Sequence, residues 1–105
     1  MKTECKSMSE AILEFLRKEH CGKRNAVKAV DLQVRFGVTP RQIRDIVSSL
    51  RLDGEPICSD NSGYYYPATA SEIQKTQALL RAQAAAMLDA AKAMEKPFND
   101  FAAIT

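Results

Sequence analysis

The stretch Thr39–Leu52, TPRQIRDIVSSLRL, predicts a capped helix with one apolar face and one polar face. Thr39 suits the N-cap, Pro40 suits the first helical position, and Gln42 lies three residues after the cap, as in a capping box. Apolar residues recur at helical spacing and predict one buried stripe, which is formed by Ile43, Ile46, Val47 and Leu50. The opposite face carries Arg41, Gln42, Arg44, Asp45, Ser48 and Arg51.

The polar face of this helix has two interpretations. Arg and Gln side chains can form paired hydrogen bonds with guanine or adenine in the major groove of DNA. The alternative is a solvated face on an ordinary core helix, which on this stretch alone is the commoner explanation. The segments before and after the stretch shift the balance towards DNA.

Two shorter helices are predicted ahead of this stretch. The first covers about residues 9–20, with Ser7 and Glu10 as a capping box. The second covers about residues 30–36 and ends before Gly37, after a loop in which residues 26 and 27 could form a very short strand. A helix, a turn that contains glycine and a second capped helix form the pattern of a helix-turn-helix.

A small β-hairpin is predicted after the helix-turn-helix. Residues 56–59 and 64–66 read as two strands, and the tetrapeptide Asp60–Gly63 between them is dense in turn-forming residues. Because side chains alternate across a strand, either the middle tyrosine, Tyr65, or its two neighbours should cover the helical core.

A long C-terminal helix is predicted over residues 69–96, which are rich in strong helix formers, with Thr69 and Glu72 as a third capping box. Its larger apolar residues follow one another at intervals of seven, with Ala84 and Ala91 beside them, and form a seam of Ile73, Leu80, Met87 and Met94. The seam could pair with a second protomer, or it could fold back on the first helix of the same chain. We expect Pro97 to end the helix and residues 97–105 to form an apolar tail.

The charge of the chain is uneven, although its formal sum is only +2. Residues 17–51 hold nine Lys or Arg against Glu19, Asp31 and Asp45, a balance of +6, whereas residues 52–71 hold three acidic residues and no basic ones. A cationic segment that contains the Thr39 helix suits a polyanion. A chain of 105 residues is one domain, or one small domain with an appendage, and has no room for a separate catalytic domain.

No catalytic, metal or cofactor site is predicted. Cys5, Cys21 and Cys58 are widely spaced, and the only histidine, His20, adjoins Cys21 in a geometry that is poor for chelating one ion. The chain has no acid and base at reactive spacing and no glycine-rich phosphate loop. We therefore do not expect an enzyme, the sequence reveals no small-molecule effector, and we interpret Cys58 as a small buried hydrophobe.

The sequence also predicts where the protein is located. Its first residues hold no apolar signal segment, and no apolar run approaches the length of a membrane span. The cysteines form no disulfide framework, which fits a reducing compartment. We expect a cytoplasmic protein.

The order helix, helix, glycine turn, capped helix and hairpin resembles a winged helix-turn-helix DNA-binding domain. The resemblance is to the N-terminal domain of the biotin-repressor type and to small winged-helix proteins of phages and prophages. It covers about residues 9–67, and it is carried by ILEFL at 12–16, RFGVTPRQIRDIVSSLR at 35–51 and DGEPICSDNSGYYYP at 53–67. The long alanine-rich C-terminal helix is more similar to the small phage proteins.

The resemblance implies a sequence-specific binder of double-stranded DNA that regulates transcription or replication in a phage-infected or bacterial cell. Residues 39–52 would form the recognition helix in the major groove. Contacts with bases would come from Arg41, Gln42, Arg44 and Asp45. Contacts with the DNA backbone would come from Lys28, Arg35, Thr39, Ser48 and Arg51, and contacts through the wing from Asn61 and Ser62. Since one module offers few base contacts, we expect a homodimer through the C-terminal helix.

The sequence departs from the family pattern in two places. Gln33 lies four residues before Gly37, where such motifs carry a small residue in the contact between the two helices. The wing tip holds no Lys or Arg, whereas a wing that enters the minor groove brings cations. These departures favour a second hypothesis, a protein-interaction module of a larger DNA-processing assembly that uses the winged fold as a scaffold.

Overall fold

The computed structural model describes residues 7–104, with Ile104 described by its backbone alone, so Cys5 and Thr105 lie outside the described residues. The elements in chain order are the helices α1 (Met8–Glu19), α2 (Ala29–Phe36) and α3 (Pro40–Leu52), the strands β1 (Cys58–Asp60) and β2 (Gly63–Tyr65), and the helices α4 (Ala70–Ala93) and α5 (Glu95–Ile104). The chain is mainly helical, with one antiparallel hairpin and a long C-terminal helix, which confirms the predicted fold class.

Two of the three predicted capping boxes are complete, whereas at Thr69 only the hydroxyl accepts from the Glu72 amide, because the Glu72 carboxylate accepts from other amides. At the start of α1, the amide of Glu10 donates to Ser7 Oγ over 3.2 Å, and the amide of Ser7 donates to Glu10 Oε1 over 3.1 Å. At the start of α3, the amide of Gln42 donates to Thr39 Oγ1 over 3.1 Å, and the amide of Thr39 donates to Gln42 Oε1 over 2.8 Å. Each box satisfies two backbone donors that the first helical turn leaves without partners.

The core lies between the first three helices and is closed by the hairpin. The helices contribute side chains that are at most 6% exposed, namely Ile12, Leu16, Leu32, Ile43, Val47 and Leu50. The segment that leads into the hairpin contributes Ile57, which is 1% exposed, and the half-buried Tyr64 and Tyr66 pack against this cluster. Of the two alternatives for the tyrosines, the second is therefore confirmed: Tyr64 and Tyr66 pack against the helical core, whereas Tyr65, 3% exposed, is buried on the other face of the hairpin beside Thr76 of α4.

Val27 acts as a one-residue third strand beside the hairpin. Its amide donates to the Tyr64 carbonyl over 2.9 Å, and its carbonyl accepts from the Tyr64 amide over 2.8 Å. Gly63 precedes Tyr64 with a φ of +123°, and a Cβ at Gly63 would collide with the Val27 carbonyl. The hairpin can approach Val27 this closely only because residue 63 has no side chain.

The C-terminal helix leaves the domain after its first turns. The start of α4 packs on β1, where Thr76 is buried and Ile73 is half-buried. Leu80 is 38% exposed, Met87 is 72% exposed and Met94 is 69% exposed, and every residue from 81 to 103 is exposed. The alternative in which the whole seam folds back on α1 is therefore wrong.

Pro97 does not end the C-terminal helical segment, and residues 97–105 are not an irregular tail. The first helix of the segment ends at Ala93, Met94 forms the junction, and Pro97 lies in the first turn of α5. In a continuous helix the Pro97 ring would clash with the carbonyl of Ala93, four residues earlier, so the break precedes the proline. The first turn of a new helix needs no amide donor, which allows the chain to resume as a helix through Ile104.

The side chain of Glu72 ties α4 to the loop after α1. Its Oε2 accepts from the amide of Lys23 over 3.0 Å, and its Oε1 accepts from the amide of Ala68 over 2.7 Å. These bonds, that of Lys23 first, lower the pKa of Glu72 from its ordinary value of 4.5. The ionised carboxylate thus helps to hold α4 against the domain.

The pKa of Glu72 predicts how stability depends on pH. Because the folded-state pKa is lowered, the stabilising contribution is present above pH 4.5 and is lost as pH falls through the folded-state value. We expect Glu72→Gln to flatten the acid side of the stability profile, measured by urea denaturation from about pH 3 to 7. Glu95→Gln on the exposed α5 is the control and should leave the profile unchanged. Equal profiles for Glu72→Gln and the native chain would contradict this role.

Candidate nucleic-acid interface

The third helix has the two faces that its sequence predicts. Ile43, Val47 and Leu50 are 1%, 2% and 6% exposed and fix the helix in the core. The polar residues of the first turns and the middle of the helix are all exposed, and they are Arg41, Gln42, Arg44, Asp45 and Ser48. This face is held rigidly from behind by the core and is free to contact a partner.

The two arginines on this face are not held by strong contacts. Arg41 Nε lies 4.0 Å from Asp45 Oδ2, one helical turn along, with the side chains 85% and 73% exposed. Exposed pairs of this kind contribute between zero and about 1 kcal/mol, so Arg41 can leave Asp45 at little cost. Asp45 also borders a shallow hollow of about 360 Å³ together with Gln42 and Val38.

Gln42 has a role in the helix cap that competes with base reading. Its Oε1 already accepts from the amide of Thr39, while the hydroxyl of Thr39 accepts from the amide of Gln42. Bidentate recognition of adenine uses the oxygen and the nitrogen of a glutamine amide together. In its capped position Gln42 therefore offers only its NH2 group to a partner.

Arg51 belongs to the hairpin support and not to the exposed face of α3. Its Nε donates to the Ile57 carbonyl over 2.8 Å, and its Nη2 donates to Ser59 Oγ over 3.0 Å. Burial lowers the pKa of Arg51, against the opposing effects of Tyr64 and Cys58. Because these bonds join the end of α3 to β1, we leave Arg51 out of the interface and assign it the positioning of the hairpin.

Arg35 at the end of α2 is held on an aromatic surface. Its guanidinium carbon lies 4.2 Å from the ring centre of Phe15 and 5.9 Å from that of Phe36. A cation over an aromatic face at an exposed site gains about 0.5–1 kcal/mol. The charge of Arg35 is thereby positioned at the surface before any partner arrives.

Lysines from outside the hairpin supply the cations that the wing lacks in its own sequence. Lys28 Nζ donates to the Asn61 carbonyl over 2.9 Å, and Lys23 Nζ lies 3.5 Å from Asp60 Oδ2. The amide of Ser62 donates to Asp60 Oδ1 over 2.7 Å. Although desolvation acts in the opposite direction, the Ser62 amide and Lys23 lower the pKa of Asp60.

The position of Lys23 is the part of the interface that sequence reasoning missed. Lys28 was predicted to contact the DNA backbone, but its place beside the wing was not. Both lysines reach the wing because Val27 pairs with Tyr64. The possible short strand at residues 26 and 27 was the only signal of that pairing, and it did not indicate a partner strand.

The Cys58 thiol is buried beside α4. Burial raises the pKa of the Cys58 thiol, which lies 3.6 Å from the Glu72 carbonyl, so Cys58 is a poor nucleophile. Within residues 7–104 no cluster of His, Cys, Asp and Glu has a metal-binding arrangement. In the same range, no helix has both the length and the apolar character that crossing a membrane requires.

Comparisons of the chain with protein-family models, with curated proteins and with solved structures found no match.

Proposed function

We propose that this chain binds double-stranded DNA in a sequence-specific manner and performs no catalysis. The proposal depends on one observation above all. The exposed face of α3 presents Arg41 and Arg44 to solvent while its opposite face is buried in the core. A helix that is rigidly held and carries exposed arginines is suited to lie in a major groove.

In this proposal two groups of cations have different roles. Lys23, Lys28 and Arg35 contact phosphates and supply an affinity that depends on salt but not on sequence. Lys28 exchanges the neutral carbonyl of Asn61 for a charged phosphate oxygen, which is the stronger acceptor. Arg41 and Arg44 read base edges, and each good bidentate contact contributes about 1–3 kcal/mol of discrimination.

Two copies of the chain are part of the proposal. A single module has few base-reading side chains, and the seam on α4 is exposed from Leu80 onwards. A homodimer through α4 would cover the seam and bring two recognition helices to one DNA site. By resemblance, we place this dimer in the cytoplasm as a phage or prophage regulator of transcription or replication.

Selection from a random pool of short DNA duplexes tests the proposed function. Purified protein is mixed with the pool at moderate salt, and the bound fraction is sequenced. An enriched motif supports sequence-specific binding, and an inverted repeat supports a two-fold symmetric dimer. Binding without an enriched motif would contradict specificity, and no binding at all would contradict the proposal.

Arg44→Ala should relax sequence preference, because it removes a base contact. Lys28→Ala should instead weaken binding to all duplexes about equally and lower the salt slope by about 1. Competition titrations with the selected motif and with scrambled duplexes at several salt concentrations distinguish the two effects. Lys92→Ala, which removes a cation from the distant α4, is the control and should change neither quantity. Unchanged affinity and preference in both interface variants would contradict this docking arrangement.

One observation favours the protein-interaction alternative. Phe98 and Phe101 on α5 are 70% and 73% exposed, which is unusual for two large aromatic side chains on one short helix. In that alternative α4 and α5 dock onto a larger DNA-processing assembly and the winged domain is a scaffold. A failed DNA selection combined with a monomeric chain would favour it.

A further inference from the structure

A groove lies where the first turns of α4 meet the segment that leads into the hairpin. It has a volume of about 380 Å³. One wall is formed by the segment from Gly54 to Cys58, and the other is formed by α4 through Ile73, Gln77 and Leu80. Ile57 is fully buried at its base, while Gln77 and Leu80 are exposed, so the groove is open along the α4 side.

The groove is continuous with the exposed seam of α4. Ile73 and Leu80 line the groove and also begin the series at intervals of seven that proceeds through Met87 and Met94. The same interval leads on to Phe101, which is 73% exposed on α5. A helix that lies along this seam must therefore pass over the groove at one end.

The residues between the seam positions indicate the direction of a partner helix. Each seam residue is followed four positions later by a second interface position, and these positions hold Gln77, Ala84, Ala91 and Phe98. If two copies run antiparallel with Met87 of each opposite Ala84 of the other, Leu80 lies opposite Ala91 of the second copy. Each large side chain then faces a small one, which fills the layers evenly.

The same register carries a large side chain to the groove. In it, Gln77 lies opposite Met94 of the second copy, and Ile73 lies opposite Phe98 of the second copy. In a parallel pairing, by contrast, Ala84 faces Ala84 and Met87 faces Met87. The alanine layers would then be underpacked and the methionine layers overpacked. The central layers, formed by residues 80, 84, 87 and 91, are therefore filled evenly only in the antiparallel direction.

The occupant of the groove is a second copy and not the same chain. Phe98 follows Gln77 by 21 residues, about 30 Å along a helix, and α4 is continuous over nearly all of that length. Met87, Met94, Phe98 and Phe101 are 69–73% exposed. Taken from two copies, side chains of this size offer on the order of 1,000 Å² of apolar surface, which is enough for a specific interface.

We infer that two copies pair antiparallel along α4 and that Phe98 of each copy fills the groove between α4 and the hairpin of the other. The arrangement is two-fold symmetric, so both grooves are filled and no open surface is left to extend the assembly. It rests on the proposed homodimer but not on DNA binding. The hairpin of each copy would thereby be held by the other copy.

Disulfide cross-linking tests the direction of pairing. The full chain is prepared with Cys5→Ser and Cys21→Ser, then with Leu80→Cys and Ala91→Cys together, and is oxidised and mapped by peptide mass spectrometry. Positions 80 and 91 of one chain are about 16 Å apart on a helix and cannot form a disulfide with each other. Covalent dimers that join position 80 to position 91 support the antiparallel pair. Dimers that join each position to itself would overturn it.

A second pair of variants tests the groove itself. Phe98→Asp should weaken dimerisation at least tenfold in sedimentation analysis without DNA, because it removes the aromatic ring that fills the groove and buries its apolar wall. Asn99→Asp changes the neighbouring position by the same charge and should leave the dissociation constant within about twofold of the native value. Equal effects of the two substitutions, or a native chain that is monomeric at all accessible concentrations, would overturn the inference. Neither result would bear on the DNA selection, which can succeed with a monomer.

Discussion

Gly63→Ala should lower the free energy of unfolding by about 3 kcal/mol, one of the two largest effects that we expect from a single substitution. Gly63 has a φ of +123°, a conformation that residues with a side chain rarely adopt. The added Cβ would also collide with the Val27 carbonyl, which is backbone and cannot rotate away. Strained backbone and overpacking each cost about 1–3 kcal/mol. Urea denaturation followed by circular dichroism measures the change.

Gly54→Ala is the matched control for this prediction. Gly54 also has a positive φ, +97°, but a Cβ there would meet no heavy atom within 4 Å. We expect Gly54→Ala to cost only the backbone strain, about 1 kcal/mol. The difference between the two substitutions isolates the close approach of the hairpin to Val27. Equal losses of unfolding free energy in the two variants would mean that the close contact with the Val27 carbonyl is not what requires glycine at position 63.

The substitution at Gly63 should also affect the candidate interface. Val27 pairs with Tyr64 through two hydrogen bonds, and the next residue, Lys28, reaches the Asn61 carbonyl. If the hairpin moves away from Val27, Lys28 moves away from the wing. We therefore expect a chain with Ala at position 63 to bind DNA more weakly than its loss of folded protein explains.

The parts of the fold that the sequence predicts are those determined by short-range signals. A capping box needs only residues three apart, so Ser7 with Glu10 and Thr39 with Gln42 could be identified directly. The buried stripe of α3 follows from helical periodicity, and the packing of Tyr64 and Tyr66 on the core was one of two alternatives set by strand alternation. None of these features depends on a residue far away in the chain.

The features that the sequence did not predict are contacts between distant segments. Arg51 has the spacing of an exposed residue on α3. Its guanidinium nevertheless donates to the Ile57 carbonyl and to Ser59 Oγ, and these bonds can form only once the hairpin has folded back on α3. Lys23 likewise reaches the wing through a loop whose path depends on Val27. A helical pattern specifies a face, but it does not specify what that face meets.

The helix break before Pro97 has a different cause. Sequence reasoning treated proline as the end of a helix, whereas the structure places Pro97 in the first turn of the next one. Proline disfavours the turn before it and is well tolerated in the turn that it begins. The helix-forming residues on both sides of Pro97 do not indicate whether a second helix begins after the break. That result depends on residues 98–104 also having helical pattern, with Phe98 and Phe101 three apart.

Ala84→Glu should weaken the proposed homodimer at least a hundredfold. In the centre of the seam, each copy would bury an unpaired carboxylate against Met87 of the other, and two such charges cost on the order of 3 kcal/mol or more. Sedimentation equilibrium of the full chain measures the dissociation constant. Ala82→Glu adds the same charge two residues earlier, on the opposite side of α4, and should leave the dissociation constant unchanged because residue 82 stays in water.

The same two variants connect dimerisation with DNA binding. On a duplex with two copies of the selected motif, Ala84→Glu should reduce affinity strongly, because each recognition helix then binds without the other. On a duplex with one copy, it should bind as the native chain does, since α3 and its cations are far from residue 84 in the chain. Equal losses on both duplexes would mean that residue 84 acts on the winged domain itself, and no loss on either would mean that each domain binds alone. Only a loss of affinity confined to the duplex with two motifs would show that dimerisation through the seam on α4 contributes to DNA recognition by α3.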